Sequence, residues 1–497
     1  MCLYYHELYD VNLLIYTDDG ILTGKCDADI DKVIEKMRRP AGLNSELRPF
    51  EMTDEGNITD YLEVKVEYLK NGSIKLSQPH LIQQVIDDLG FNDRTKGKDT
   101  PAKSTERLHR DVHGEEMNEK WHYRSIIGKL NFIEKSTRPD IAYAVHQCAR
   151  FSNDPKASHA TAVKHIVKYL MTTKDQGIYL RPDDHSFDCW VDADFVGNWN
   201  KVNSDVDPST AKSRTGYVIN YGGCPITWAS KLQTEVALST TEAEYNALST
   251  SLRDVIHLMQ LVEEANKLGW NTHKGPPKVH CKVFEDNIGA LEMARLPKMR
   301  PRTKHLCVRL HHFREHVRKK LITIQHVATD LQIADLLTKP QPSALFVKQR
   351  QVLMRWPLSN SICNDDDSDK TTNLIHLRAC GISKQVLPDK ADEGQSENEI
   401  SMTEIRDVLT TTSHEEKANK SYESTTEAML SHEVRVPKYP VIESQRSLQL
   451  DGQERIGSPL EHQNYADGNV TINEEELCFD QVERPYTTVQ KKKRKGK

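Results

Sequence analysis

Cys189-Trp190-Val191-Asp192-Ala193-Asp194-Phe195 is the stretch on which the fold turns. Side chains alternate across an extended chain. Val191, Ala193 and Phe195 therefore share one face, and Asp192 and Asp194 share the other with Trp190. Paired acids on one face of an apolar strand are unfavourable unless a cation, a base or solvent receives them. The plain alternative is the wet face of an edge strand. Working outward, residues 186–340 read as a strand-rich block, a long helix, a strand, a basic helix, a strand and a short helix. That order suits a mixed α/β domain.

Three more acids stand at element junctions downstream. Glu244 heads the apolar stripe Leu248, Leu252 and Val255 of the helix that begins near Ser239. A capping role fits the same residues, because both Thr241-x-x-Glu244 and Ser239-x-x-Glu242 are capping boxes. Asp286 lies in Val283-Phe284-Glu285-Asp286-Asn287, where a strand gives way to a helix; it can be functional or an ordinary N-cap. Asp335 sits inside a short apolar helix and can simply pair with Lys339 four residues on. Each signal is weak alone. Together they place four acids in one domain of ordinary size, a set that can hold two Mg²⁺ for attack of water on a phosphodiester.

A basic segment separates the last two acids. Residues 295–320 contain ten Lys/Arg and one acid, Glu315. On a helix over 304–320, Leu306, Leu310, Phe313 and Val317 form the buried stripe. His305, Arg309, His312, His316, Lys319 and Lys320 point elsewhere. Such a face beside a carboxylate cluster suits a phosphate backbone, although charged helix faces are usually just solvated. His312-x-x-x-His316 has zinc-compatible spacing but no evident third ligand.

Upstream, Val11 to Gly24 reads as a hairpin with Asp18 and Asp19 at its tip. Adjacent carboxylates there can hold a cation or can simply serve a turn. A second hairpin is expected at 61–76, turning at Asn71-Gly72. Ser77 is the expected cap of a helix running to about Leu89, closed by Gly90. Residues 93–120 read as a polar linker. Three helices should follow: one over 122–135, one with Pro139 in its first turn, and one capped by Asp154 with Pro155 at the first helical position.

The 497 residues suffice for roughly three domains. The charge is uneven: residues 1–356 carry 49 basic and 47 acidic side chains, residues 357–497 carry 18 and 26. All six Trp and nine of ten Phe lie before the split, so the last part lacks the means to build a core and is expected to be mostly disordered, with a short basic end, KKKRKGK. No apolar run is long enough for a membrane helix. The N-terminus has no basic n-region, and the ten Cys show no CxxC pair. A cytoplasmic or nuclear protein with reduced thiols, not a secreted one, is the expectation.

These pieces resemble, in order, the C-terminal part of the Pol polyprotein of copia-type LTR retrotransposons. Tyr16-Thr17-Asp18-Asp19 is similar to the YxDD box of reverse transcriptase, and Leu76-Ser77-Gln78 to the start of its thumb. Tyr123 to Leu130 and Arg138-Pro139-Asp140-Ile141 resemble the family's Y-R-x-x-x-G-x-L and R-P-D-I/L segments. Asp192-Ala193-Asp194, Lys212 to Tyr217, Ser239 to Tyr245, Glu285-Asp286-Asn287, Arg302-Thr303-Lys304-His305 and Ala334 to Lys339 resemble its RNase H domain. The likeness covers about residues 8–356.

The resemblance implies an RNase H-like mixed five-stranded sheet flanked by helices over 186–340. Before it would come a truncated reverse-transcriptase palm (1–76) and a helical thumb/connection (77–185), and after it a mostly disordered acidic tail (341–497). It implies catalytic metal ligands Asp192, Glu244, Asp286 and Asp335, with Glu244 preferred to Glu242 because the family's helix pattern is Glu-x-x-Ala. Asp18 and Asp19 would be further metal ligands, left from the polymerase site. Arg302, Lys304, His305, Arg309 and His312 would contact nucleic acid. The cofactor would be Mg²⁺, with Mn²⁺ as an alternative, and the partner an RNA–DNA hybrid. His326 matches the mobile histidine of related nucleases poorly and stays outside the catalytic set.

Two departures bear on the polymerase half. Only 17 residues precede Asp18, and none resembles the palm strand that carries a third carboxylate. Glu63 stands where the family's primer-grip segment usually has Gly. The expectation is an RNase H with an inactive reverse transcriptase; the rival is a non-catalytic nucleic-acid-binding remnant.

Overall fold

The computed structural model describes residues 2–16, 19–38, 52–103, 107–201, 207–267, 269, 279–295, 312–356 and 376–382. Strands β1 (Cys2–His6), β2 (Val11–Tyr16) and β3 (Asp19–Gly24) form an antiparallel sheet. Alternation in β2 turns Val11, Leu13 and Ile15 inward. Helix α1 (Asp27–Arg38) lays Ile30, Val33, Ile34 and Met37 onto them. Its acids stand in the first turn and its bases in the last, with the macrodipole. The expected hairpin is present; Asp18 lies outside the described residues, and Asp19 is exposed at the start of β3.

Strand β4 (Met52–Asn57) belongs to the same sheet but does not touch β3. Between them runs His376–Ile382, β14 in chain order, antiparallel to both. Cys380 is buried in the core beneath α1. A Cβ on Gly20 would lie 2.5 Å from the Cys380 sulfur, so a bare backbone is needed there. Arg378 meets Asp54 at 3.1 Å and also pairs with Asp31. The tail over 341–497, expected to be mostly disordered, thus contributes a strand to this sheet.

A second sheet joins β5 (Asp60–Tyr61), β6 (Val64–Tyr68), β7 (Ile74–Ser77) and β8 (Ile178–Leu180). The β6–β7 turn is the expected one, with Gly72 at φ 77°. Glu63, between β5 and β6, has φ 62°. That is the left-handed region, which explains physically why a glycine suits this position.

Helix α2 (Pro79–Asp88) starts later than expected: Ser77 is still in β7, Gln78 is the N-cap, and Pro79 takes the first turn. Its end is as read, with Gly90 at φ 69° and the Phe91 N–H donating to the Ile86 carbonyl at 3.1 Å. Helices α3 (Tyr123–Ser136), α4 (Ala142–Ala149, after a 3-10 turn at Pro139–Ile141) and α5 (Ala157–Thr172) follow. The expected Asp154 cap of α5 gives way to Lys156, whose ammonium meets the Asp154 carboxylate at 3.1 Å.

The central element is a five-stranded mixed sheet. Strands β9 (Phe187–Asp194), β10 (Arg214–Tyr221) and β11 (Cys224–Leu232) are antiparallel. After helix α6 (Thr240–Lys267), strand β12 (Cys281–Glu285) pairs parallel to β9. Helices α7 (Ile288–Arg295) and α8 (Arg314–Arg318) precede β13 (Ile322–His326), parallel to β12. The order is β11-β10-β9-β12-β13.

One face packs on α6, α7 and Phe313 through Val191, Ile219, Leu248, Leu252 and Val283. The other presents Val218 and Trp228 to α2–α5, to a 3-10 turn at Ile333–Leu337, and to α9 (Ser343–Met354). The Trp228 indole donates to the Glu134 carbonyl at 3.0 Å. One apolar core thus runs from Leu81 to Met354, and α9 is an ordered helix at the start of the segment expected to be mostly disordered.

Candidate metal centre

The carboxyl ends of the parallel strands bring the acids together. Asp192 is the sixth residue of β9, on the face opposite Val191 and Ala193, and is 2% exposed; Gly216 is its partner on β10. A Cβ on Gly216 would stand 2.8 Å from Leu337 Cβ and 3.0 Å from the Ala334 carbonyl oxygen. Only glycine therefore lets the Ile333–Leu337 turn lie on the sheet beside Asp192. Gln332 stitches the same turn down, donating to the Val191 carbonyl at 2.8 Å. Gln349 of α9 in turn donates to the Gln332 carbonyl at 2.9 Å.

Ligand atoms of Asp192, Glu244 and Asp286 all lie within 4.8 Å of one another. The capping question at α6 resolves between the two glutamates. Glu242 does the capping: its N–H donates to Ser239 Oγ at 3.2 Å, and its carboxylate accepts from the Leu238 N–H at 2.9 Å. Glu244 faces inward, buried, with no hydrogen-bond partner for Oε2. Asp286 follows β12 and accepts from the Thr329 hydroxyl at 3.0 Å.

Asp335 stands beside Asp192 but outside that group of three. Its oxygens are taken by Lys339 Nζ at 2.7 Å and Gln341 Nε2 at 3.3 Å. The i+4 pairing read from the sequence is therefore real, and it coexists with proximity to the cluster. The Thr338 hydroxyl hydrogen-bonds to Asp192. Asp194 turns instead to Arg107, at 3.4 Å.

Glu285 is the acid that sequence reasoning missed. It is fully buried, accepts from the Asn287 N–H at 3.1 Å, and leaves Oε2 without a partner. The signal was present: Cys281, Val283 and Glu285 share the inward face of β12.

Burial, then repulsion from Asp335, lifts the Asp192 carboxyl to about 7. Burial and neighbouring acids also push Glu244 and Glu285 well up, and burial raises Asp335. Burial works against the charge on Lys339, but Asp192 and Asp335 hold it above the ordinary lysine range. A pocket of buried carboxylates with unpartnered oxygens fits a hard divalent cation.

Of the expected nucleic-acid contacts, Arg302, Lys304, His305 and Arg309 lie outside the described residues. His312 is exposed and sits edge-on to Phe313. His326 is exposed at the end of β13. Among the described residues no helix is long and apolar enough to cross a membrane.

Fold and site define a class: a mixed-sheet α/β domain with a carboxylate cluster at its strand ends. No family model matches the chain. It is 32% identical over 355 residues to the retrovirus-related Pol polyprotein from transposon TNT 1-94 of Nicotiana tabacum, which covers 69% of this chain and 24% of the relative. It is 29% identical over 337 residues to the corresponding protein from transposon RE1 of Arabidopsis thaliana, covering 68% and 21%. A solved RNase H1 from compost, LC11-RNase H1, aligns with 31% of this chain and 93% of its own, at 16% identity and TM-score 0.22. Over about two thirds of its length the chain is thus similar to retrovirus-related Pol polyproteins of transposons. It spans between a fifth and a quarter of the length of these two Pol relatives.

Proposed function

We propose that this chain hydrolyses the RNA strand of RNA–DNA hybrids with Mg²⁺ bound by Asp192, Glu244, Asp286 and Asp335. The observation that carries this reading is the convergence of three of these acids within 4.8 Å at the ends of β9 and β12 and the start of α6. When bound, divalent ions supply an activated water and neutralise the leaving 3′ oxygen. The chain supplies the frame. Thr338 orients Asp192, Thr329 orients Asp286, and the close approach at Gly216 brings Asp335 alongside. The acids need not carry protons themselves, since coordinated water already has a lowered pKa. Strand choice would rest on 2′-hydroxyl contacts and duplex shape.

The test is cleavage of an end-labelled hybrid with and without Mg²⁺, by the wild-type chain and by Asp286→Asn. Loss of one ligand should cost at least about a hundredfold in rate. Equal cleavage by the two proteins sinks the assignment. Salt-dependent hybrid binding without cleavage favours a non-catalytic remnant instead.

The hairpin carrying Asp19 is proposed not to polymerise DNA in this chain. The strand beside it, β14, places Gly381 opposite Asp19 and contains no acid. Primer extension on poly(rA)·oligo(dT) by the purified chain would overturn that.

A further inference from the structure

We propose that the ammonium of Lys339 is a tethered cation occupying the Asp335 side of the carboxylate cluster. The centre would then take one divalent ion readily and a second only when Lys339 swings away. The inference rests on the metal-centre reading above and adds an order of filling to it.

The cluster has two unlike halves. Asp192, Glu244 and Asp286 converge, and among them Glu244 Oε2 is buried and unpartnered. Asp335 already faces a cation: Lys339 forms an ion pair with one oxygen at 2.7 Å, without a hydrogen bond of good geometry, and Gln341 donates to the other at 3.3 Å. An incoming ion meets an open half and a closed one.

The geometry suits a swinging group rather than a fixed strut. The Asp335 side chain is 3% exposed, whereas that of Lys339 is 32% exposed. The acid has no way out, but the ammonium can reach water by rotating its four-carbon stem. The backbone beneath both is pinned: the Lys339 N–H donates to the Asp335 carbonyl at 3.1 Å, and Thr338 donates to the same carbonyl at 3.2 Å. Movement is thereby confined to the side chain.

The charge balance gives the tether a reason. Asp192, Glu244, Glu285 and Asp335 are all buried, and crowding such acids without a counter-charge is costly. A built-in cation relieves that cost in the metal-free protein. It must then compete with any ion that would bridge Asp192 and Asp335.

Calorimetric titration of the full chain with Mn²⁺, without nucleic acid, tests the proposal. The proteins are wild type, Lys339→Met, Lys339→Gln and Asp286→Asn, each checked for folding by circular dichroism. The expected result is one strong and one weak site in the wild type. The weak site should tighten by about tenfold or more in Lys339→Met, with little change in the strong one. Lys339→Gln, which keeps a polar end, serves if the methionine variant does not fold. If Asp286→Asn loses the strong site while neither lysine variant alters the weak one, the tether is wrong and the metal centre stands. If Asp286→Asn binds Mn²⁺ as the wild type does, the metal-centre reading itself falls, and the tether with it.

Discussion

Asp192 shows how a site of this kind costs the fold that carries it. Its carboxyl is raised from 3.8 to about 7 by burial and by Asp335. The unfolded chain gives up this proton near pH 4, whereas the folded chain keeps it until near 7. Stability without metal should therefore fall as pH rises through that window and level off above it. The full shift corresponds to on the order of 4 kcal/mol, shared with the neighbouring acids. Asp192→Asn should accordingly abolish hydrolysis yet stabilise the metal-free protein by about 2–4 kcal/mol at pH 8, a gain that fades toward pH 4. Thermal melts in chelator across pH 4–8 check this; equal slopes for both proteins count against it. The residues were unequally legible. Glu244, Asp286 and Asp335 stand out because each interrupts an apolar pattern at an element junction, whereas alternation leaves Asp192 and Asp194 equivalent and only the family resemblance chooses Asp192. Glu285 was hidden because Asp286 beside it drew the attention, although strand alternation points Glu285 inward with Cys281 and Val283.

At the scale of elements, two close fits hold the site in place. The first is Gly216, where the Ile333–Leu337 turn rests on β10. Gly216→Val should push that turn off the sheet, moving Asp335 and Thr338 from Asp192. Hybrid cleavage should drop at least about tenfold while far-ultraviolet dichroism is kept. Normal cleavage by a folded Gly216→Val would show that the contact does not matter. The second is the buried Arg138–Asp140 pair, bidentate at 2.9 and 2.8 Å. Arg138 also donates to the Thr173 carbonyl at 3.0 Å, and Tyr169 hydrogen-bonds to Asp140. Arg138→Met strands a buried carboxylate and should cost about 3–5 kcal/mol in urea unfolding. The R-P-D run marked this spot in the sequence. What it could not reveal was the link onward to α9, where Arg350 donates to the Tyr169 hydroxyl at 3.0 Å.

Over the whole molecule, local pattern succeeded where pairing is local and failed where it is not. The β2–β3 and β6–β7 hairpins are closed by their own turns, so alternation and turn residues suffice to find them. Strand β14 carries no such signal: His376-Leu377-Arg378-Ala379-Cys380-Gly381-Ile382 lies in a polar stretch, and its partners are near the other end of the chain. The contact rests on Arg378 among Asp27, Asp31 and Asp54 and on Cys380 over Gly20. Arg378→Glu should therefore release the strand. Hydrogen exchange of the full chain should then quicken over 19–24 and 52–57 but not over 187–194. Unchanged exchange in the first two segments would mean that β14 is not what closes this sheet.

The same strand sets a timetable for synthesis. Asp31 and Arg378 are 347 residues apart. At ~5–20 residues per second, a ribosome needs roughly 20–70 s to travel between them. Throughout that interval the β3 edge has been made and its partner has not, and an open strand edge is a template for the wrong neighbour. Several nascent copies on one message would hold such edges close together. The β1–β3 hairpin is thus the part of this sheet that a chaperone would have most reason to shield, from its own synthesis until β14 follows.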